Sequence, residues 1–252
     1  MITGASRGLG KALAERFAAE GATLVLVART SGALEEVDDR VRAAGARATL
    51  VPLDLADGQA IDQLGGVLAQ RFGRLDVLVG CAAELGPLSP LGHLKPQAFE
   101  RVMAVNATAN YRLIRSLDPL LRAAPAGRAL FVTCAQARAR KPYWGGYAAS
   151  KAALETLVVA YAAETRRTAL RVNLIDPGVM RTRLRASAYP GEDASKLPDP
   201  RAVTEALVAL AETACDRHGC LIEAADGQRV PETIETRTPP SRNPTETEPR
   251  YP

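Results

Sequence analysis

A chain of 252 residues, 47% of them hydrophobic, is long enough to bury one sizeable core, and α/β chains of this length are routinely a single domain. Its 32 basic and 28 acidic residues leave a net charge of only +4, which offers no strongly signed face to nucleic acid or to an anionic membrane and points to a small-molecule partner. Cys81, Cys134, Cys215 and Cys220 are too sparse for a secreted disulfide scaffold and lack zinc-site spacing, so they read as reduced thiols of a cytoplasmic protein without a metal.

Only Met1 and Ile2 precede the Thr3-Gly4 turn, where a parallel strand of about five or six residues should end. Either the natural chain begins upstream or the first strand is a stub, and the cost of burying a charged amino terminus favours the former. A helix is expected over Gly10–Glu20, a strand over Thr23–Ala28, a helix over Ser31–Ala44 and a strand over Ala48–Leu53. Helix Gln59–Phe72, strand Leu75–Gly80, helix Pro96–Ala123 and strand Arg128–Thr133 follow. The series closes with helix Ala148–Thr168, strand Leu170–Ile175, helix Arg201–Thr213 and strand Cys220–Ala224. Strands alternating with helices predict one α/β domain over residues 1–230, a Rossmann-type doubly wound parallel sheet with helices on both faces. In such a sheet ligands sit at the carboxyl ends of the strands.

Between Met180 and Pro200 the chain carries Pro190, Gly191 and Pro198 with little apolar period, as expected of a binding loop or lid over the substrate. Residues 231–252 are rich in Pro, Thr, Glu and Arg and are expected to be a disordered tail. No basic stretch followed by an apolar run opens the sequence, and no apolar run nears the roughly 18 residues of a membrane span, so no membrane partner is expected.

Two motifs carry chemistry. Thr3-Gly4-Ala5-Ser6-Arg7-Gly8-Leu9-Gly10 joins a strand to a helix, where bare backbone N–H groups and the positive helix end can meet a pyrophosphate; an ordinary tight turn is the alternative. Tyr147-Ala148-Ala149-Ser150-Lys151 places a phenol and an ammonium four apart on one helix face. The ammonium is expected to favour the phenolate and lower the tyrosine pKa, making Tyr147 a general acid or base.

The TGxxxGxG spacing and the YxxxK motif, in this order and context, resemble the short-chain dehydrogenase/reductase family over Thr3 to about Gly227. The wording of Trp144–Lys151 and Arg171–Glu192 is similar to its YciK-like bacterial subgroup. The resemblance implies that Gly4, Ser6, Arg7, Gly8, Leu9 and Gly10 hold the cofactor phosphates, and that Asp54, beside Leu55, accepts from the adenine amino group. It likewise implies that Ala82 lies beside the cofactor, and that Pro177, Gly178, Val179 and Thr182 hold the nicotinamide carboxamide. Tyr147 and Lys151 contact the cofactor as well as acting in catalysis, and Asn106 holds a water in the proton relay behind the lysine. A homodimer or homotetramer packed through the Tyr147 helix and the Arg201–Thr213 helix is part of the same implication.

NAD selection needs a carboxylate after the second strand, yet Ala28 stands there, followed by Arg29. Arg29 and Arg7 can pair with a 2′-phosphate, so NADP(H) is the expected cofactor. The chain also departs from the family. Cys134 stands thirteen residues before Tyr147, where the family has a serine that donates to the substrate carbonyl, and a thiol is a weak donor. Thr133 faces the other way along the strand and can replace it only if the strand has slipped. Gly80-Cys81-Ala82-Ala83 replaces the family's NNAG, so Cys81 loses amide hydrogen bonds and Ala83 must take a backbone shape usually given to glycine. Arg181, Arg183 and Arg185 read as a solvated basic loop or as a site for an anionic substrate.

The sequence therefore points to an oxidoreductase that moves a hydride between NADP(H) and a carbonyl or secondary alcohol, with Asn106, Cys134, Tyr147 and Lys151 at its centre. The alternative is an NADP-binding module with weakened or lost turnover, acting as a regulator or redox sensor.

Overall fold

The computed structural model describes residues 1–139 and 141–224. The tail expected over 231–252 lies outside the described residues. In chain order the elements are β1 (Ile2–Thr3), α1 (Gly8–Ala19), β2 (Thr23–Ala28), α2 (Ser31–Ala43), β3 (Arg47–Pro52), α3 (Gly58–Phe72) and β4 (Val77–Gly80). There follow α4 (Pro96–Met103), a π-helical turn (Ala104–Thr108), α5 (Ala109–Ala123), β5 (Arg128–Val132), α6 (Gln136–Ala139), α7 (Gly145–Thr165) and β6 (Arg171–Asp176). The chain continues through α8 (Arg183–Ala188), α9 (Thr204–Ala211) and β7 (Leu221–Glu223).

All seven strands pair in parallel in the order β3-β2-β1-β4-β5-β6-β7, the doubly wound sheet expected from the alternation. The order reverses between β1 and β4, so the carboxyl ends of these two strands open the crevice in which ligands of such sheets bind. Strand side chains alternate between two cores because the strand period is two. Leu24, Leu26, Leu130 and Ile175 join Leu13 of α1, Leu34 of α2 and Leu207 of α9 on one face. Val25, Val27, Phe131 and Leu174 meet Ile61 of α3, Leu117 of α5 and Leu154 of α7 on the other.

The first strand is two residues long, and the Met1 amino group donates to the Val77 carbonyl at 2.7 Å. Burial lowers that amino group's pKa to about 5.

Element bounds shift by up to three residues from expectation, and four differences stand out. The single helix expected over Pro96–Ala123 carries a π turn at residues 104–108, a widening common at functional sites, and Asn106 sits inside it fully buried. Helix α7 starts three residues before Ala148, which puts Tyr147 in its first turn. It stops at Thr165, whose hydroxyl bonds back to the Tyr161 carbonyl and ends the regular ladder before Thr168. The helix expected from Arg201 opens as a 3-10 turn, Pro200–Val203, at whose head the Asp199 carboxylate accepts from the Arg201 N–H at 2.9 Å.

Candidate active site

The turn between β1 and α1 is built by close backbone approach. Gly4 has φ +66°, and a Cβ there would lie 2.8 Å from the Ala82 Cα; a Cβ on Gly10 would lie 2.2 Å from the Gly4 carbonyl oxygen. Side chains at these two positions would wedge the turn off the helix and away from β4. The Thr3 hydroxyl accepts from the Cys81 and Ala82 N–H groups at 3.1 and 3.2 Å, bracing β1 against the segment after β4 with no help from the Cys81 side chain. The backbone strain expected at Ala83 is absent. Among the described residues the one non-glycine with positive φ is Tyr143.

A cavity of about 460 Å³ opens at the carboxyl ends of the strands. Every residue assigned above to cofactor contact lines it, as do Cys134, Tyr147 and Lys151. Tyr147 and Lys151 are 6% and 2% exposed, so both groups are largely taken out of water. The Cys134 thiol lies 3.8 Å from the Tyr147 hydroxyl, a long sulfur contact, so sequence spacing located the group that faces the phenol. Thr133 cannot replace it, since its hydroxyl donates to Glu155 at 2.6 Å. The Lys151 ammonium donates to the Val132 carbonyl at 2.8 Å.

The expected lowering of the Tyr147 pKa is not found. Burial raises it well above the ordinary phenol value, and the neighbouring Cys134, Asp176 and Cys81 add to the rise. Burial also lowers the Lys151 pKa and pushes the Cys81 thiol up to about 12.

Asn106 stands behind the cavity wall. Its Oδ1 accepts from the Glu84 N–H at 2.8 Å, while its Nδ2 donates to the Glu84 carbonyl and to the Ser150 hydroxyl, each at 2.9 Å. The Ser150 hydroxyl donates in turn to the Tyr147 carbonyl at 2.7 Å. The asparagine thus ties the segment after β4 to the helix that carries Tyr147 and Lys151.

The family model for short chain dehydrogenases matches residues 1–193. The chain belongs to the short-chain dehydrogenase family. It is by that membership an oxidoreductase. It is similar to YciK of Escherichia coli strain K12, an uncharacterized oxidoreductase, at 37% identity over 203 residues that cover 79% of this chain and 80% of YciK. The solved structure of the E. coli oxidoreductase yciK superimposes with a TM-score of 0.85 at 34% identity, covering 89% of this chain and 93% of that one. A structure of a short chain dehydrogenase from E. coli CFT073, complexed with NADPH, gives the same TM-score and identity and covers 89% and 95%.

For a member of this family, two parts of the site were not legible from motifs. The first is at the adenosine end. The Asp54 carboxylate, expected to meet an adenine amino group, is clamped by both η nitrogens of Arg101 at 3.0 Å. Burial alone would raise the Asp54 pKa, but the Ala56 N–H and the Arg101 guanidinium more than offset it and hold the carboxyl below its ordinary value. Arg101 also donates from Nε to Glu84 at 3.2 Å, and Arg29 lies 3.8 Å from the same carboxylate oxygen. Neither Glu84 nor Arg101 belongs to a family motif, so only their charge could have flagged them.

The second is the segment over residues 180–200, expected above to be a lid. It is partly helical, with α8 capped by the Thr182 hydroxyl, which accepts from the Arg185 N–H at 3.2 Å. Arg185 makes a two-pronged pair with Glu192 at 2.6 Å and lies 3.8 Å over the Tyr189 ring. Tyr189 leans on Trp144 at 5.7 Å, and Trp144 meets the Tyr147 ring edge-on at 6.0 Å. An aromatic wall therefore runs from the lid to the phenol. Arg181 pairs with Asp199 at 2.9 Å. Two of the three lid arginines are thus neutralised within the protein, against a role as anion receptors. Among the described residues, no helix is long and apolar enough to cross a membrane, and no group of three His, Cys, Asp or Glu side chains is placed to hold a metal.

Proposed function

We propose that this chain is an NADP(H)-dependent oxidoreductase acting on a carbonyl or secondary alcohol. The observation that carries the proposal is one continuous cavity that joins the glycine turn to the Tyr147–Cys134–Lys151 cluster. The residues fit the cofactor: Gly4 and Gly10 sit where any Cβ would collide with backbone, and exposed Arg7 and Arg29 border the same cavity where an acid would be needed for NAD. The E. coli CFT073 relative that binds NADPH supports the same choice. When bound, NADP(H) supplies or accepts the hydride.

The protein's own part is proton management and orientation. Tyr147 gives its hydroxyl proton to the developing alkoxide in reduction and takes one back in oxidation. Lys151 holds positive charge beneath the site, Cys134 offers a weak S–H to the reacting oxygen, and Asn106 keeps the Tyr147 helix registered against Glu84. Arg29 would hold the 2′-phosphate, and Thr182, Gly178 and Val179, which line the same cavity, would hold the nicotinamide end. The sparse cysteines, without the density of a secreted disulfide scaffold, support a reducing, cytoplasmic setting. A homodimer or homotetramer belongs to the same proposal, and light scattering on the eluted protein measures the count.

The test is a pair of fluorescence titrations. NADPH is expected to bind more tightly than NADH, and Arg29→Gln is expected to narrow the ratio about fivefold, the scale of one partly solvated charge-assisted contact. Equal dissociation constants in the unmodified protein would overturn the NADP assignment.

A pH profile follows from the raised phenol. Reduction uses the protonated form, so its kcat is expected to stay flat over roughly pH 6–9, whereas oxidation needs the anion and is expected to climb without a plateau over that range. A reduction rate that falls near neutrality would show that another group donates the proton.

A further inference from the structure

The four charges at the adenosine end do not act independently. Arg101 spends three nitrogens on carboxylates, two on Asp54 and one on Glu84. Glu84 is held by its main chain, whose N–H and C=O are both bonded to the buried Asn106 amide, so its carboxylate is anchored at the mouth of the cavity. Arg29, at the end of β2, lies 3.8 Å from that carboxylate, outside direct hydrogen-bond reach. A loosely paired guanidinium between a fixed carboxylate and open solvent is easily drawn to a stronger anion.

We infer that Glu84 is a specificity-determining residue that competes with the cofactor's 2′-phosphate for Arg29, and that Arg101 is a positioning residue that moderates this competition by sharing the Glu84 charge with Asp54. The inference rests on the NADP reading above. An incoming 2′-phosphate must draw Arg29 away from Glu84, while a ribose with a free hydroxyl meets no such competition. Glu84 therefore holds the NADPH preference below what Arg29 and Arg7 alone would give. Arg101, bound on three sides, holds the carboxylate off the pocket centre and offsets part of its charge.

The experiment titrates NADPH and NADH against the full-length protein and against Glu84→Gln, which keeps the main-chain bonds to Asn106 and removes only the charge. NADPH is expected to tighten about fivefold while NADH changes less than about twofold. In an Arg29→Gln background the same substitution is expected to leave the NADPH/NADH ratio unchanged, since the competed group is gone. An unmodified protein that prefers NADPH with the ratio unaltered by Glu84→Gln overturns the role of Glu84 and leaves the cofactor reading standing. A gain that persists without Arg29 overturns it as well. No NADPH preference in either protein overturns the cofactor reading, and this inference with it.

Discussion

Tyr147→Phe is expected to lower kcat by at least about a hundredfold, the usual contribution of a positioned general acid, while NADPH affinity changes by less than about twofold. Tyr147 is 6% exposed and its ring packs edge-on against Trp144 at 6.0 Å, so a phenyl ring fills the same space. The hydroxyl's protein partner is the Cys134 thiol at 3.8 Å, a weak bond whose loss leaves no strong donor stranded. The transferable proton is what disappears, and the pH profile should lose its dependence on the phenol. Steady-state NADPH oxidation against ketones, aldehydes and quinones, beside a direct NADPH titration, measures both quantities. Turnover that survives the substitution would mean that the donor has been assigned to the wrong group.

Cys134→Ser carries the second large effect, and in the opposite direction. A hydroxyl in place of the thiol is a stronger donor to the oxygen on which charge builds during reduction, and removing such a donor in other enzymes costs on the order of a hundredfold or more. The gain is expected to be smaller here, about tenfold in kcat or 1.4 kcal/mol, because serine is shorter at the sulfur's position and the surroundings have packed around the larger atom. Thr133 is already committed to Glu155 and leaves that position to residue 134 alone. NADPH affinity should not move. A fall in activity would place the thiol itself in the chemistry, whereas two inactive forms that both bind NADPH would favour the nucleotide-binding module over the enzyme.

Much of the site was legible because its signals are local. The glycine turn declares itself where the chain must pass within contact distance of its own backbone, as at Gly10 against Gly4. The Tyr147 and Lys151 pair declares itself through helical spacing, and Cys134 through its distance in sequence from Tyr147. The readings that failed depended on surroundings. The Tyr147 pKa moved up because burial in the folded core disfavours the phenolate, and Cys134, Asp176 and Cys81 add to the rise. The expected strain at Ala83 is absent, and the bracing that Cys81 was expected to lose is supplied by the Thr3 hydroxyl of a different strand.

By itself the sequence determined the alternation of strands and helices, the doubly wound sheet, the glycine turn and the shared helix face of Tyr147 and Lys151. Each of these follows from hydrophobic period, backbone freedom or helical spacing within a few residues. Only the tertiary structure decided what meets across long intervals. Arg101 reaches Asp54 across 47 residues and Glu84 across 17, and the π turn swings Asn106 inward to bind Glu84 and Ser150 across 22 and 44. Such pairs share no periodicity with one another; they exist because β2, β3 and β4 end at the same edge of the sheet and the helix after β4 folds back over it. A charge in a sequence has a sign and a position, but its partner is chosen by the fold.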